Sequence, residues 1–200
     1  TTKTISYRGM RANTMDVSSE WGSLCRFAVG FVGGGLSDAY EQPATEMTNG
    51  RTVDAIETQS PLNGTNDLPL VVIDGAVADF CIRSLQVQLN NNCQARTCIG
   101  QLAPSNQTEM ESSVNVSMSA YTQDENFDYI QKKIDNTTIA IYYVIENAGE
   151  GFAFAMPAVN LSFTDPGAAG KNQQSMMDLA GVCEPTSTLN ALRIYKVTQA

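Results

Sequence analysis

The chain has 200 residues, of which 42% are hydrophobic and 8% aromatic, enough for one globular domain with a buried core. Its 12 basic and 21 acidic residues give a formal net charge of −9, which argues against a protein that holds nucleic acid through phosphate contacts. No apolar run reaches the roughly 20 residues of a membrane helix and no signal-peptide pattern opens the chain, so we expect a soluble protein.

Histidine is absent, which removes the commonest general base and the commonest metal ligand. The five cysteines are an odd number and contain no Cys-x-x-Cys pair. We therefore expect five reduced, mostly buried thiols, with Cys93 and Cys98 as the pair near enough in sequence to form a disulfide. The sequence predicts no catalytic residue, no cofactor site and no metal site.

The first clear predicted strand carries an alternating apolar set. Cys25, Phe27, Val29 and Phe31 recur at every second position, which is typical of a strand with one buried face. The triplet Gly33–Gly35 ends the run. No lysine follows these glycines and no helix signal comes next, so they do not indicate a phosphate-binding loop.

A long polar segment follows, from about residue 43 to residue 67. It is rich in Gly, Pro, Asn and Thr and has no apolar periodicity. Loops of this length in compact domains are usually functional or mobile. We predict a loop or arm that bridges neighbouring subunits or rings and becomes ordered on contact with them.

Two amphipathic strands are predicted after a short apolar strand at Leu70–Ile73. They span Arg83–Asn90 and Val114–Tyr121, and Asn90–Asn92 predicts a turn after the first. Each has one apolar face and one face of small, uncharged polar groups. The polar faces comprise Ser84, Gln86, Gln88, Asn90, Ser113, Asn115, Ser117 and Ser119.

A helix is predicted directly after the second of these strands. Thr122 and Glu125 have the spacing of a capping box. Phe127, Ile130 and Ile134 then form one apolar stripe. The acidic residues of the first turns (Asp124, Glu125, Asp128) and the basic residues of the last (Lys132, Lys133) suit the helix dipole, which explains the carboxylates without catalysis.

The last third predicts strands again. Ile139–Ile145 is apolar at nearly every position, as expected of a strand covered on both faces. A hairpin loop at Glu146–Gly151 leads to a partner strand through Phe152, Phe154 and Met156, and further elements are a polar loop at Thr164–Asn172 and strands at Ser175–Leu179 and Leu192–Val197. Residues 1–200 therefore predict one mainly β domain: two packed antiparallel sheets of sandwich or barrel type with one flanking helix.

The order of elements from Arg83 to Val197 resembles that of a known family. The LNNN turn at 89–92 follows the first amphipathic strand, the SAY segment at 119–121 ends directly before the capped helix, and a GKNQ loop at 170–173 precedes a strand. This arrangement is similar to the major tail tube proteins of siphophages, the bacteriophages with long non-contractile tails.

The resemblance implies a structural, non-enzymatic protein of the virion. Members of the family form rings, commonly of six copies, whose inner sheets join into a β-barrel around a channel. The rings stack around a tape-measure protein between a tail-tip or baseplate complex and a tail-terminator protein, and DNA passes through without specific binding. We accordingly expect assembly in the host cytoplasm, no membrane partner and no cofactor.

The two polar strand faces are the predicted channel wall. Lysine or arginine on such a wall would bind phosphates and retard DNA, whereas hydroxyl and amide groups wet the surface without strong attachment. We therefore predict that the eight polar residues named above include lumen-facing residues. The alternative is that these faces meet solvent outside the assembly.

Two other functions remain open at this point. One is the tube protein of a contractile injection system, which shares the fold. The other is a non-enzymatic β-sandwich module for capsid decoration or adhesion, for which an exposed aromatic patch or disulfides would be expected.

Overall fold

A computed structural model describes residues 7–8, 10–33, 35–36, 61–67, 70–100, 104, 106–122, 127–163, 171 and 174–198. Residues 43–60 of the predicted arm and most of the predicted loop at Thr164–Asn172 lie outside these residues. The chain divides into two compact units. The first comprises Thr1–Thr14, Val29–Gln59 and Asn91–Ser112, and the second comprises Met15–Ala28, Ser60–Asn90 and Ser113–Ala200.

Strands dominate the described residues, as predicted. They are β1 Tyr7–Arg8, β2 Arg11–Glu20, β3 Arg26–Val32, β4 Gly35–Leu36, β5 Leu70–Ile73, β6 Ala76–Val77, β7 Ile82–Asn90, β8 Gln94–Arg96, β9 Asn106–Thr108, β10 Ser113–Tyr121, β11 Ile139–Asn147, β12 Glu150–Phe163, β13 Met176–Cys183 and β14 Arg193–Thr198. One α-helix, α1, spans Phe127–Ile134. The mainly β class is therefore confirmed, with one helix among the described residues.

Ten of these strands form one antiparallel sheet in the order β3-β2-β7-β10-β13-β12-β11-β5-β6, with β14 also paired to β12. The 14-residue strand β12 joins two halves of the sheet, because it pairs with β14 over residues 150–155 and with β13 over residues 159–163. The register with β11 shifts where Pro157 lies, between the pairs Ile139–Val159 and Ile141–Met156. Proline cannot donate a ladder hydrogen bond, so such a break is where a strand tolerates it.

The second unit contains the hydrophobic core. Its buried residues come from both halves of the sheet, which therefore pack on each other: Leu85 and Val87 of β7, Val114, Val116, Met118 and Ala120 of β10, Met177 and Leu179 of β13, and Ile139, Ile141, Tyr143 and Ile145 of β11. At its centre the ring of Tyr143 stacks on that of Phe154, with centroids 4.6 Å apart. The two packed faces agree with the prediction, and no closed barrel forms among the described residues of one chain.

The predicted burial of two strands is wrong. β3 is a strand, but Phe27 is 62% exposed and Phe31 57% exposed, so its apolar face is not buried within this chain. β11 has one buried face, whereas Tyr142 on its other face is 38% exposed. Alternation shows which side chains share a face, but it does not show whether another layer of the same chain covers that face.

The helix follows its prediction in part. Ile130 and Tyr129 pack against the core, but Ile134 is 70% exposed, and the side chain of Phe127 lies outside the described part of the helix. The rings of Tyr129 and Phe80 meet edge to face at 5.9 Å. Asp128 lies in the first turn and Lys132 and Lys133 in the last, which confirms the match to the helix dipole. Glu125, the second residue of the predicted capping box, lies outside the described residues.

The end of the predicted arm, residues 61–67, is fixed to the second unit. The amide of Asn63 donates to the buried carboxylate of Asp67 at 2.7 Å, and the side-chain oxygen of Asn63 accepts from the amides of Thr65 and Asn66. Asn63 also forms a β-bridge with Leu24. This Asx-type turn anchors the point at which the segment rejoins the sheet.

The first unit contains two small antiparallel ribbons, β1 with β4 and β8 with β9. The side chain of Asn13 accepts a hydrogen bond from the amide of Cys93 at 2.6 Å. Asn92 has a positive φ of 48° in the predicted asparagine turn, a conformation that asparagine tolerates well. The strand β7 therefore ends where the asparagine turn was predicted.

Candidate functional site

The predicted polar faces of β7 and β10 lie side by side. Cross-strand pairing sets Asn90 opposite Ser113, Gln88 opposite Asn115, Gln86 opposite Ser117 and Ser84 opposite Ser119. Because directly opposed residues share a face of the sheet, all eight residues form one continuous surface. The other face of both strands is the hydrophobic core. The structure thus brings the whole predicted set together.

Two carboxylates that the sequence prediction did not include extend this surface, one on each side. Asp16 of β2 accepts hydrogen bonds from the amide nitrogens of Gln86 at 2.7 Å and Gln88 at 3.0 Å. Asp178 of β13 lies opposite Ser119 and accepts its hydroxyl hydrogen bond at 2.6 Å. The only sequence signal for Asp16 is its alternation with Met15 and Val17, which are buried.

An open groove of about 600 Å³ lies at one end of the same surface. Its lining includes Ser18, Glu20, Ser84 and Ser117, together with the guanidinium-bearing Arg26. Hydroxyl groups and both signs of charge therefore meet in this groove. We use the name polar sheet face for the eight predicted residues together with Asp16 and Asp178.

The second candidate surface is the apolar side of β3, at the edge of the sheet. Cys25, just before the strand, packs against the core, and the alternation continues from it through Phe27, Val29 and Phe31. These three side chains are 62%, 36% and 57% exposed, respectively. We call them the β3 stripe. Exposed rings in a row on an edge strand are unusual in a protein that acts as a single chain.

Side chains suited to metal binding do not cluster in the part of the chain that the structure describes. No group of three or more His, Cys, Asp or Glu residues there could hold a metal ion. None of its helices is long and apolar enough to cross a membrane.

The five cysteines, all of them described, form no disulfide with one another. Cys183 is buried, and this burial raises its thiol pKa to about 12. Cys81 and Cys98 are exposed, whereas the sequence predicted mostly buried thiols.

Comparison with known proteins identifies the family of the chain. No curated protein matches the sequence. The family of phage tail tube proteins matches residues 1–190, which is nearly the whole chain. The chain therefore belongs to the phage tail tube protein family and is a structural component of the virion tail.

Proposed function

We propose that copies of this chain close into rings, most simply of six subunits, and that the rings stack into the tube of a long non-contractile tail. The central channel carries DNA from the capsid into the host. The tape-measure protein fills the channel before ejection, and the tail-tip or baseplate complex and the tail terminator bound the tube. The subunit acts by assembly and not by catalysis, and it assembles in the host cytoplasm.

The observation that carries this proposal is the β3 stripe taken together with the family match over residues 1–190, because an exposed aromatic patch alone would also fit an adhesion module. In the described part of the chain, β3 is a terminal strand of the sheet, so its outer edge also presents backbone hydrogen-bonding groups. Burial of the two phenylalanine rings alone would remove roughly 240 Å² of apolar surface from water, about 6 kcal/mol before ordering costs. A neighbouring subunit supplies that cover in a closed ring.

Charge supports a second copy as the occupant of this edge. Two chains of net charge −9 repel each other, so contact is favoured where acidic groups are absent. β3 contains no acidic residue and one basic residue, Arg26. A head-to-tail contact of this kind, repeated with rotation, generates a ring.

The polar sheet face lines the channel in this proposal. It is rich in hydroxyl and amide groups, and its charges at Asp16 and Asp178 repel phosphate instead of binding it. Residues 43–67 bridge neighbouring subunits or rings, anchored at their end by the Asn63–Asp67 turn. Residues 1–200 act as a single tube domain in this account.

Assembly of surface variants tests the ring proposal. The double substitution Phe27→Ser with Phe31→Ser should leave a folded monomer, because both rings are already exposed to water. The unsubstituted chain should form rings or tubes by size-exclusion chromatography and negative-stain microscopy. Met110→Ser is the matched control, because Met110 is 52% exposed but lies outside β3, and this variant should assemble normally.

Two results would contradict the proposal. A wild-type chain that stays monomeric at high concentration in the presence of its tail-tip complex would exclude ring assembly. Normal tubes from the double variant would exclude the β3 stripe as the seam. Micrographs of intact virions would also separate the tube of a contractile system, which is surrounded by a sheath, from the bare tube proposed here.

A further inference from the structure

The polar sheet face has an internal arrangement that its composition does not reveal. Asp16 stands midway along β2 and faces two glutamines that follow one another on the same side of β7. One of its carboxylate oxygens, Oδ2, accepts a hydrogen bond from the Nε2 of Gln86 and another from the Nε2 of Gln88. A single acidic residue therefore holds two neighbouring amide side chains.

The chemistry of these groups fixes which way the amides point. An ionised carboxylate can only accept hydrogen bonds, so each glutamine must turn its NH₂ group toward Asp16. The carbonyl oxygen of each amide is then directed away from Asp16. At the opposite margin of the face, Asp178 in the same way accepts a hydrogen bond from the hydroxyl group of Ser119.

We propose that Asp16 withholds the hydrogen-bond donors of Gln86 and Gln88 from passing nucleic acid. Phosphate oxygens are acceptors and need N–H or O–H donors on the protein. Asp16 takes one hydrogen of each amide, and a phosphate that approached the second would come close to the carboxylate charge. At Gln86 and Gln88 the wall consequently presents oxygen atoms and negative charge to the DNA. This inference rests on the proposed function only in placing the face inside the channel.

A structural role for Asp16 makes a different prediction. If the carboxylate only fixed β2 against β7, its loss would change stability without changing affinity for DNA. Donor withholding instead predicts that DNA binding appears when the carboxylate is removed, and that this binding depends on the two glutamines.

Binding to the unassembled full-length chain separates these roles, because its polar sheet face is accessible wherever it lies in the tube. The probe is a fluorescent DNA duplex of about 20 base pairs at low salt, followed by anisotropy. Asp16→Asn should bind at least about fivefold more tightly than the unsubstituted chain. Asp128→Asn, which removes one exposed carboxylate from the helix, changes net charge equally and should stay within about twofold.

A second set of variants identifies the group responsible. Asp16→Ala should also gain affinity, and adding Gln86→Ala with Gln88→Ala should return it to the level of the Asp128→Asn control. Thermal unfolding of each variant shows that the chain is folded during the measurement. Equal affinity of Asp16→Asn and Asp128→Asn, or a gain that survives loss of both glutamines, would overturn donor withholding.

Virions that carry Asp16→Asn distinguish this inference from the proposed function. Slower genome ejection together with tighter duplex binding supports both. Tighter duplex binding with a normal ejection rate supports donor withholding at this face and contradicts its position in the channel.

Discussion

Tyr143 has the largest fully buried side chain among the described residues. It is 1% exposed and stacks on Phe154 across the β11–β12 pair. Burial raises the pKa of its hydroxyl, and the electrostatic interaction with nearby Cys25 raises it further. The folded chain therefore holds Tyr143 neutral at a pH where the unfolded chain ionises it.

This difference predicts a loss of stability at high pH. Above the ordinary tyrosine pKa of about 10 the unfolded chain releases a proton that the folded chain retains, so the free energy of unfolding falls by up to about 1.4 kcal/mol per pH unit. Tyr143→Phe should remove this part of the slope in urea unfolding between pH 9 and pH 12. Tyr142→Phe, on the open face of the same strand, is the control and should keep it. An unchanged slope in Tyr143→Phe would show that the hydroxyl is not responsible.

Residue contacts were only partly accessible from the sequence. Alternation was enough to place Leu85 and Val87 in the core and Gln86 and Gln88 on the opposite face. Alternation could not predict the hydrogen bond from Gln86 to Asp16, because the two residues are 70 positions apart and no local pattern connects them. The structure therefore adds to the predicted site the residue that orients the amides of Gln86 and Gln88.

At the level of single elements, the β11–β12 hairpin has an unusual turn. Asn147 pairs with Glu150, so the loop consists of Ala148 and Gly149, both with positive φ, 52° and 85°. Such turns favour Asn-Gly, because the left-handed backbone conformation costs less free energy for asparagine than for alanine. The backbone conformation of Ala148, and not the pairing of the two strands, therefore limits the stability of this hairpin.

We expect Ala148→Asn to raise the free energy of unfolding by about 0.5–1 kcal/mol. Ala148→Val should lower it by about 1 kcal/mol or more, because a β-branched side chain fits positive φ least well. Urea unfolding at neutral pH measures both. If asparagine destabilises the chain or valine is neutral, the turn does not have the backbone conformation described here.

Element positions were predictable to a greater extent than their surroundings. The strands β7, β10 and β11 and the helix α1 fall where periodicity placed them. The burial of β3 and of the second face of β11 was not predicted correctly, because periodicity shows only which face is apolar. The short strands β8 and β9 have three residues each, which is too few for a periodic pattern to be recognised.

At the scale of the whole molecule, the two surfaces play opposite parts. The β3 stripe is apolar and free of acidic residues, which favours contact between copies. The polar sheet face is hydrated and carries Asp16 and Asp178, which disfavours lasting contact with DNA. The proposed tube requires both properties in one subunit, and the family match over residues 1–190 shows that the chain is a phage tail tube protein.

A cryo-EM map of the assembled tube tests this account most directly. We predict closed stacked rings in which Gln86, Gln88, Asn115 and Ser117 face the lumen and Phe27 and Phe31 are buried against the neighbouring subunit. A map with the polar sheet face on the outer surface of the tube, or with the β3 stripe exposed to solvent, would contradict it.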